Sequence, residues 1–317
     1  MKTNKGYIAD LSLVLICVFW GTSFILVKMA IAEIDLYFFV FLRFALATLI
    51  VGGLFYRRLS QYNLKILRDG VIMGAALFGA FVTQTIGLQF TSASNAGFIT
   101  GLHVVLVPLM LAVIFKRMPA LNATVGAVVC AVGLFFLTVG DTFMVNRGDI
   151  WVVLCAVFVG LHVIFTGWFA VRHDVYLLAL TQLVTVMVLA LASSFILGEG
   201  SVSPFTLSPF VILVVVVMGV FATAFNFTLQ TWAQQYTTPT RAAVIFTMEP
   251  VFAAIFAYWW GGEVLGSRGY LGAALILTGI ILAEFKIREW GRERNSSITN
   301  NADESHHGRS RVEKDGQ

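Results

Sequence analysis

The sequence predicts an all-α membrane protein of ten transmembrane helices, arranged as two inverted five-helix repeats around a central cavity. Three observations predict it. The 317 residues are 58% hydrophobic and only 12% charged, with a mean hydropathy of +0.86, too little polar surface to coat a water-exposed globule. The apolar residues gather into runs of about 20, the length at which a helix rising 1.5 Å per residue crosses roughly 30 Å of hydrocarbon. The second half of the chain also repeats the first. A soluble enzyme and a nucleic-acid binder are excluded on the first point, and the net charge of +4 reports topology rather than affinity for nucleic acid.

The first span, 10 to 31, follows the short polar stretch Met1 to Asp10 and continues without an Ala-x-Ala cleavage site. It is read as an uncleaved span. The second, 36 to 56, opens after Asp35 and closes at Arg57 and Arg58. The third, 69 to 89, follows Arg68, and the fourth, 93 to 115, ends at Lys116 and Arg117. The fifth, 121 to 140, starts beyond Pro119; the sixth, 149 to 171, lies between Asp149 and Arg172. The seventh, 175 to 197, follows Asp174, the eighth, 208 to 231, opens at Ser208 and Pro209, and the ninth, 239 to 260, opens at Pro239. The tenth, 267 to 286, ends at the basic tail.

With Met1 cytoplasmic, the inside connections hold Lys2, Lys5, Arg57, Arg58, Lys65, Arg68, Lys116, Arg117, Arg172, Arg241 and the seven basic residues from Lys286 onward. The outside connections hold only Lys28, Arg147 and Arg268, and Arg43 alone sits within a span. The positive-inside rule therefore places both termini in the cytoplasm. Residues 288–317, rich in Arg, Glu, Ser and Asn, are expected to form a disordered tail. Cys17, Cys130 and Cys155 lie in apolar runs, none near another Cys or a His at ligand spacing, so neither disulfide nor metal is expected.

Sliding the chain on itself by 139 residues brings Asp10 onto Asp149, Val14 onto Val153, Phe19 onto Phe158, Gly21 onto Gly160 and Ile25 onto Ile164. Pro108 matches Pro250, and Gly126 and Gly133 match Gly272 and Gly279 with the same seven-residue step. The repeats are 9–140 and 148–286. Because five is odd, the second enters the bilayer upside down, the arrangement of secondary transporters, in which two inverted copies alternately close the ends of a shared midplane site.

Within this frame the residues resemble the EamA-type branch of the drug/metabolite transporter superfamily. The resemblance rests on Phe19-Trp20-Gly21-Thr22-Ser23-Phe24, Phe41-Leu42-Arg43-Phe44, and Leu88-Gln89-Phe90-Thr91-Ser92-Ala93-Ser94 leading to Pro108. In the second half it rests on Thr240-Arg241-Ala242-Ala243, Met248-Glu249-Pro250-Val251-Phe252 and Gly261-Gly262-Glu263. It departs at Met118-Pro119, where the first half lacks the glutamate that Glu263 supplies. The resemblance implies ten helices around a central cavity, a place in the plasma membrane (the bacterial inner membrane), and export or exchange of small metabolites such as amino acids or related amphipathic compounds. The expected partners are the bilayer, a small-molecule substrate and a proton or other gradient; a homodimer stays open, and no cofactor is implied.

Polar groups deep in a span are costly unless they face a wet cavity or find partners, which makes them the informative ones. Glu249 falls about ten residues into its span, near the midplane, beside Pro250, which frees backbone carbonyls. It reads as a coupling group or a substrate counter-ion, or as a structural carboxylate paired with Arg43. Arg43 reads as a structural anchor or a clamp for a substrate carboxylate. His162 occupies the repeat position of Ser23, and His103 lies at the same depth; each is a substrate or proton contact or a satisfied core histidine. Asn226, Gln230 and Gln234 recur at i, i+4 and i+8 on one helical stripe, with Thr85 and Gln89 as repeat equivalents of the first two. The stripe faces a cavity or a neighbouring helix. Trp20, at mid-depth, is a candidate stacking wall. Thr247 and Glu249 are about 200° apart on the helix and cannot share one wall. The glycine pairs read as close helix contacts.

An intramembrane enzyme needs paired aspartates, a Ser nucleophile with its base, or a His-rich metal cluster, and none is present. A channel or a non-transporting receptor remains the alternative to a transporter.

Overall fold

The computed structural model describes residues 4–91, 93–138, 147–197, 207–252, 255 and 266–284. The region is helical, with α1 (Asn4–Gly21), α2 (Ser23–Ala30), α3 (Leu36–Leu54), α4 (Leu64–Phe90), α5 (Ala93–Gly101), α6 (His103–Val113) and α7 (Leu121–Thr138) in the first half. The second half comprises α8 (Arg147–Phe169), α9 (Val175–Leu197), α10 (Pro209–Val217), a π-helical segment (Met218–Phe225), α11 (Asn226–Ala233), α12 (Pro239–Phe246) and α13 (Ser267–Glu284). Seven helical stretches among the described residues are long and apolar enough to span a bilayer, and two shorter apolar ones, Leu121–Phe136 and Ser267–Ala283, pack against each other. The latter part of the predicted ninth span, including Gly261 to Glu263, and the predicted tail lie outside the described residues.

Helix starts follow side-chain capping. Asp35 accepts from the Phe38 N–H, Asn63 from Lys65 and Ile66, Ser208 from Val211 and Thr238 from Arg241, each satisfying backbone donors that a first turn leaves without partners. Pro209 and Pro239 stand at first-turn positions that need no N–H.

Three predicted spans are interrupted near their middles. The first breaks between α1 and α2 at Thr22, the fourth at Leu102 between α5 and α6, and the ninth at Thr247, just before Pro250. Irregular backbone at such depth is tolerated where it lines a cavity.

Close approach relies on glycine, as expected where lipid supplies no hydrophobic drive between helices. A Cβ on Gly126 would stand 2.5 Å from the Gly279 carbonyl oxygen, and one on Gly133 2.8 Å from that of Gly272. The rising number on α7 against the falling number on α13 shows that the two helices run antiparallel. On α4, Gly70 and Gly74 accept Thr181 and Thr185 of α9, while Gly79 and Gly87 accept Phe158 and Val152 of α8. Gly219 of the π-helical segment abuts Leu46 and the Arg43 carbonyl of α3.

Candidate functional site

These contacts leave a cavity enclosing about 860 Å³ of space, counting the part that communicates with the exterior. Its walls come from the α1–α2 break, α3, the later half of α4, the α5–α6 break, α8, α11, α12 and Glu249. Trp20 to Val27, Phe39 to Arg43 and Leu77 to Leu88 displace it toward the end of the bundle where α2 leads into α3. The opposite end is packed shut by Leu13, Ile16, Ile245 and Phe246. An ion pair between Arg241 and Asp10 and a 2.9 Å bond from Gln234 Nε2 to the Val163 carbonyl join the helices there.

The structure brings Trp20, Ser23, Arg43, Thr85, His103, His162, Gln230 and Glu249 together around this space. Asn226 stands apart from the lining: it is fully buried, and its Nδ2 donates to the Ile16 carbonyl at 3.2 Å. Gln234 is likewise an interhelical donor, accepting in turn from Gln230 Nε2 at 3.0 Å. The polar stripe therefore divides between cavity wall and helix contact. Gln89, predicted to line a vestibule, is exposed at the end of α4 and outside the lining. Thr247 is buried away from the cavity, its Oγ1 donating to the Val244 carbonyl at 2.6 Å, as its angle to Glu249 requires.

Arg43 is 3% exposed, and its guanidinium is held by neutral groups. Nε donates to Thr223 Oγ1 at 2.6 Å and Nη2 to the Ala222 carbonyl at 3.3 Å, with the Phe81 ring 4.7 Å below. Trp20 Nε1 donates to that same carbonyl at 3.1 Å. The π-helical segment makes this arrangement: its wider winding leaves a carbonyl accessible to side chains, a feature often found at functional sites. Thr223 Oγ1 also donates to the Met218 carbonyl five residues back, at 2.8 Å. Arg43 and Glu249 line the same cavity without forming an ion pair, so the structure departs from the paired alternative.

His162 Nε2 lies 2.7 Å from Gln182 Oε1, and Gln182 Nε2 donates to Thr231 Oγ1 at 3.0 Å. His103 Nδ1 lies 2.8 Å from the Thr100 carbonyl, and its Nε2 is buried with no hydrogen bond among the described residues. Trp20 packs at 5.5 and 5.4 Å, centroid to centroid, from Phe227 and Phe246, so the predicted stacking wall is a cluster. Sequence reasoning missed Gln182, although the 139-residue step that joins Ser23 to His162 also joins Arg43 to Gln182. It missed Gln84 and Thr100, which line the cavity 3.4 Å apart, because neither belongs to a polar stripe.

The sequence profile of the EamA-like transporter family matches the chain twice, over residues 7–139 and 146–285. An uncharacterized transporter of Archaeoglobus fulgidus is 32% identical over 283 residues, covering 89% of this chain and 88% of its own. A WAT1-related chloroplastic protein of Arabidopsis thaliana is 24% identical over 84% of this chain and 67% of its own. A solved crystal structure superposes with a TM-score of 0.72 at 19% identity, covering 90% of this chain and 99% of that one, a likeness of fold.

Proposed function

Because this chain belongs to the EamA-like transporter family, and is thus a multi-pass membrane transporter of the drug/metabolite superfamily, we propose that it moves small amphipathic metabolites, amino acids among them, by alternating access. In this reading ten helices form two inverted five-helix repeats, residues 9–140 and 148–286. The protein lies in the plasma membrane with both termini cytoplasmic and exports or exchanges its substrate. The observation that carries the reading is that one cavity takes its walls from both repeats, Trp20 to His103 from the first and Cys155 to Glu249 from the second. The reciprocal glycine contact supports the inversion. Gly126 meets Gly279 and Gly133 meets Gly272, and since Gly126 pairs with Gly272 and Gly133 with Gly279 in the sequence repeat, exchanging the two halves maps the contact onto itself.

With the termini inside, the closed end at Asp10 and Arg241 is cytoplasmic and the cavity occupies the outer half of the protein. Moving substrate inward or outward then requires the Asp10–Arg241 pair to part. Trp20, Ser23, Thr85, His103, His162, Gln230 and Glu249 contact substrate. Glu249 is the coupling carboxylate, since it faces the cavity without a basic partner among the described residues. Comparing metabolites in the medium of overexpressing and deleted cells identifies the solute, and reconstituted vesicles test the mechanism. Saturable uptake accelerated by the same solute on the far side is expected; flux that neither saturates nor shows counterflow would make the protein a channel.

A further inference from the structure

The arrangement around Arg43 contains a feature that transport by itself does not require. A guanidinium offers five N–H bonds in a planar fork, and the edge formed by Nε and Nη2 is already taken by Thr223 Oγ1 and the Ala222 carbonyl. The outer edge, with Nη1 and the second Nη2 proton, has no partner among the described residues. A buried cation surrounded by neutral groups is poorly compensated, and among the described residues no carboxylate pairs with this one. Its surroundings are otherwise a rigid mount. Thr223 is anchored to the Met218 carbonyl, the Ala222 carbonyl is shared with Trp20, and the Phe81 ring lies beneath the charge, its centroid 4.7 Å from Cζ.

The geometry points to a monoanion subsite at Arg43, in which a ligand carboxylate takes the outer edge of the guanidinium in a two-pronged, charge-assisted contact. This rests on reading the cavity as the substrate site. The charge of the walls restricts the class further. Arg43 and Glu249 are the charged groups among the lining residues, beside the two histidines, so one cation must serve a cavity that also holds a carboxylate. A phosphate or phosphonate dianion finds no second positive group there, whereas a single carboxylate is matched. The body of the ligand is apolar or aromatic, because Trp20, Phe24, Phe39, Phe81, Phe227 and Phe246 supply much of the remaining wall. Thr223 is a positioning residue. It touches Arg43 rather than the ligand and fixes the direction in which the fork points.

The test uses three probes with one phenylalkyl body on the purified full-length chain in detergent, with binding measured by calorimetry at a pH above the phosphonate's second ionisation: 3-phenylpropanoate, its neutral isostere 3-phenylpropanamide, and 2-phenylethylphosphonate, there a dianion. The carboxylate is expected to bind on the order of tenfold or more tighter than the amide, the range of a hydrogen bond to a charged group, and tighter than the phosphonate. Arg43→Gln should bring carboxylate and amide to parity. Arg43→Lys, which keeps the charge but not the fork, and Thr223→Val, which keeps the arginine but not its mount, should each reduce the preference, and they carry the test if Arg43→Gln fails to fold. Ser23→Trp, which fills the cavity, should abolish binding of all three. Equal binding of carboxylate and amide to the wild-type chain, both lost in Ser23→Trp, would overturn the subsite and leave the cavity as substrate site. A preference for the phosphonate, or a carboxylate preference that survives Arg43→Gln, would also overturn it. Binding of no probe, or binding indifferent to Ser23→Trp, would overturn both.

Discussion

Replacing Gly126 by alanine tests whether α7 and α13 meet as the duplicated sequence implies. The new methyl would lie 2.5 Å from the Gly279 carbonyl oxygen and 2.9 Å from the Ala283 Cβ, where ordinary contact begins at 3.4 Å. The nearest obstacle is backbone, so the helices must part by about 0.9 Å rather than turn a side chain aside. Overpacking of this kind costs about 1–3 kcal/mol. Alanine returns about 1 kcal/mol of helix propensity over glycine, leaving a net loss of up to about 2 kcal/mol. Gly97→Ala is the control, since a Cβ there meets nothing within 4 Å, so only the propensity gain remains. Thermal unfolding of the purified protein in detergent, followed through its seven tryptophans, should show Gly126→Ala melting up to about 3 °C below wild type, at about 1.5 °C per kcal/mol for a chain of 317 residues, and Gly97→Ala at or slightly above it. Gly133→Ala should follow Gly126→Ala, its methyl being 2.8 Å from the Gly272 carbonyl. If Gly126→Ala is as stable as Gly97→Ala, the close antiparallel contact is wrong.

Three further outcomes are expected. Glu249→Gln keeps the shape of the side chain and removes its charge, so vesicles with an imposed pH gradient should lose gradient-driven accumulation while retaining counterflow; unchanged pH dependence in a well-expressed variant would return Glu249 to a structural role. Gln182→Leu strips partners from His162 and Thr231 and should cost about 1–3 kcal/mol in unfolding, and adding His162→Phe should cost less than the sum because the two share one network. Truncation after Arg288, beyond the family match that ends at residue 285, should leave transport intact; inactivity of a correctly inserted truncated chain would refute the solvated tail.

The parts of this architecture that depend on local composition were legible in the sequence. Apolar runs located the seven long helical stretches, and the eighth span opens at Ser208 as expected; the third, expected from 69, begins at Leu64 because Asn63 caps it five residues earlier. The glycine pairs were legible as packing surfaces because a seven-residue step places both on one face. Their partners followed only once α7 and α13 were seen side by side. A polar stripe such as Asn226, Gln230 and Gln234 says that a helix faces something other than lipid, but not whether that is water or another helix. The Ile16 and Val163 carbonyls decide it. The π-helical segment left no local signal in Met218-Gly219-Val220-Phe221-Ala222-Thr223-Ala224-Phe225, because the donors to the Ala222 carbonyl come from residues some 180 and 200 positions away.

The central claim is one five-span module, copied and inverted, and its most direct test is the sidedness of the two ends. Short epitope tags placed before Met1 and after Gln317 are probed with antibody in intact and in permeabilised cells. The account predicts that both tags are hidden until the membrane is opened and both are reached afterward. One tag reached in intact cells and the other only after permeabilisation would mean an odd number of spans, and two inverted five-span copies would be impossible.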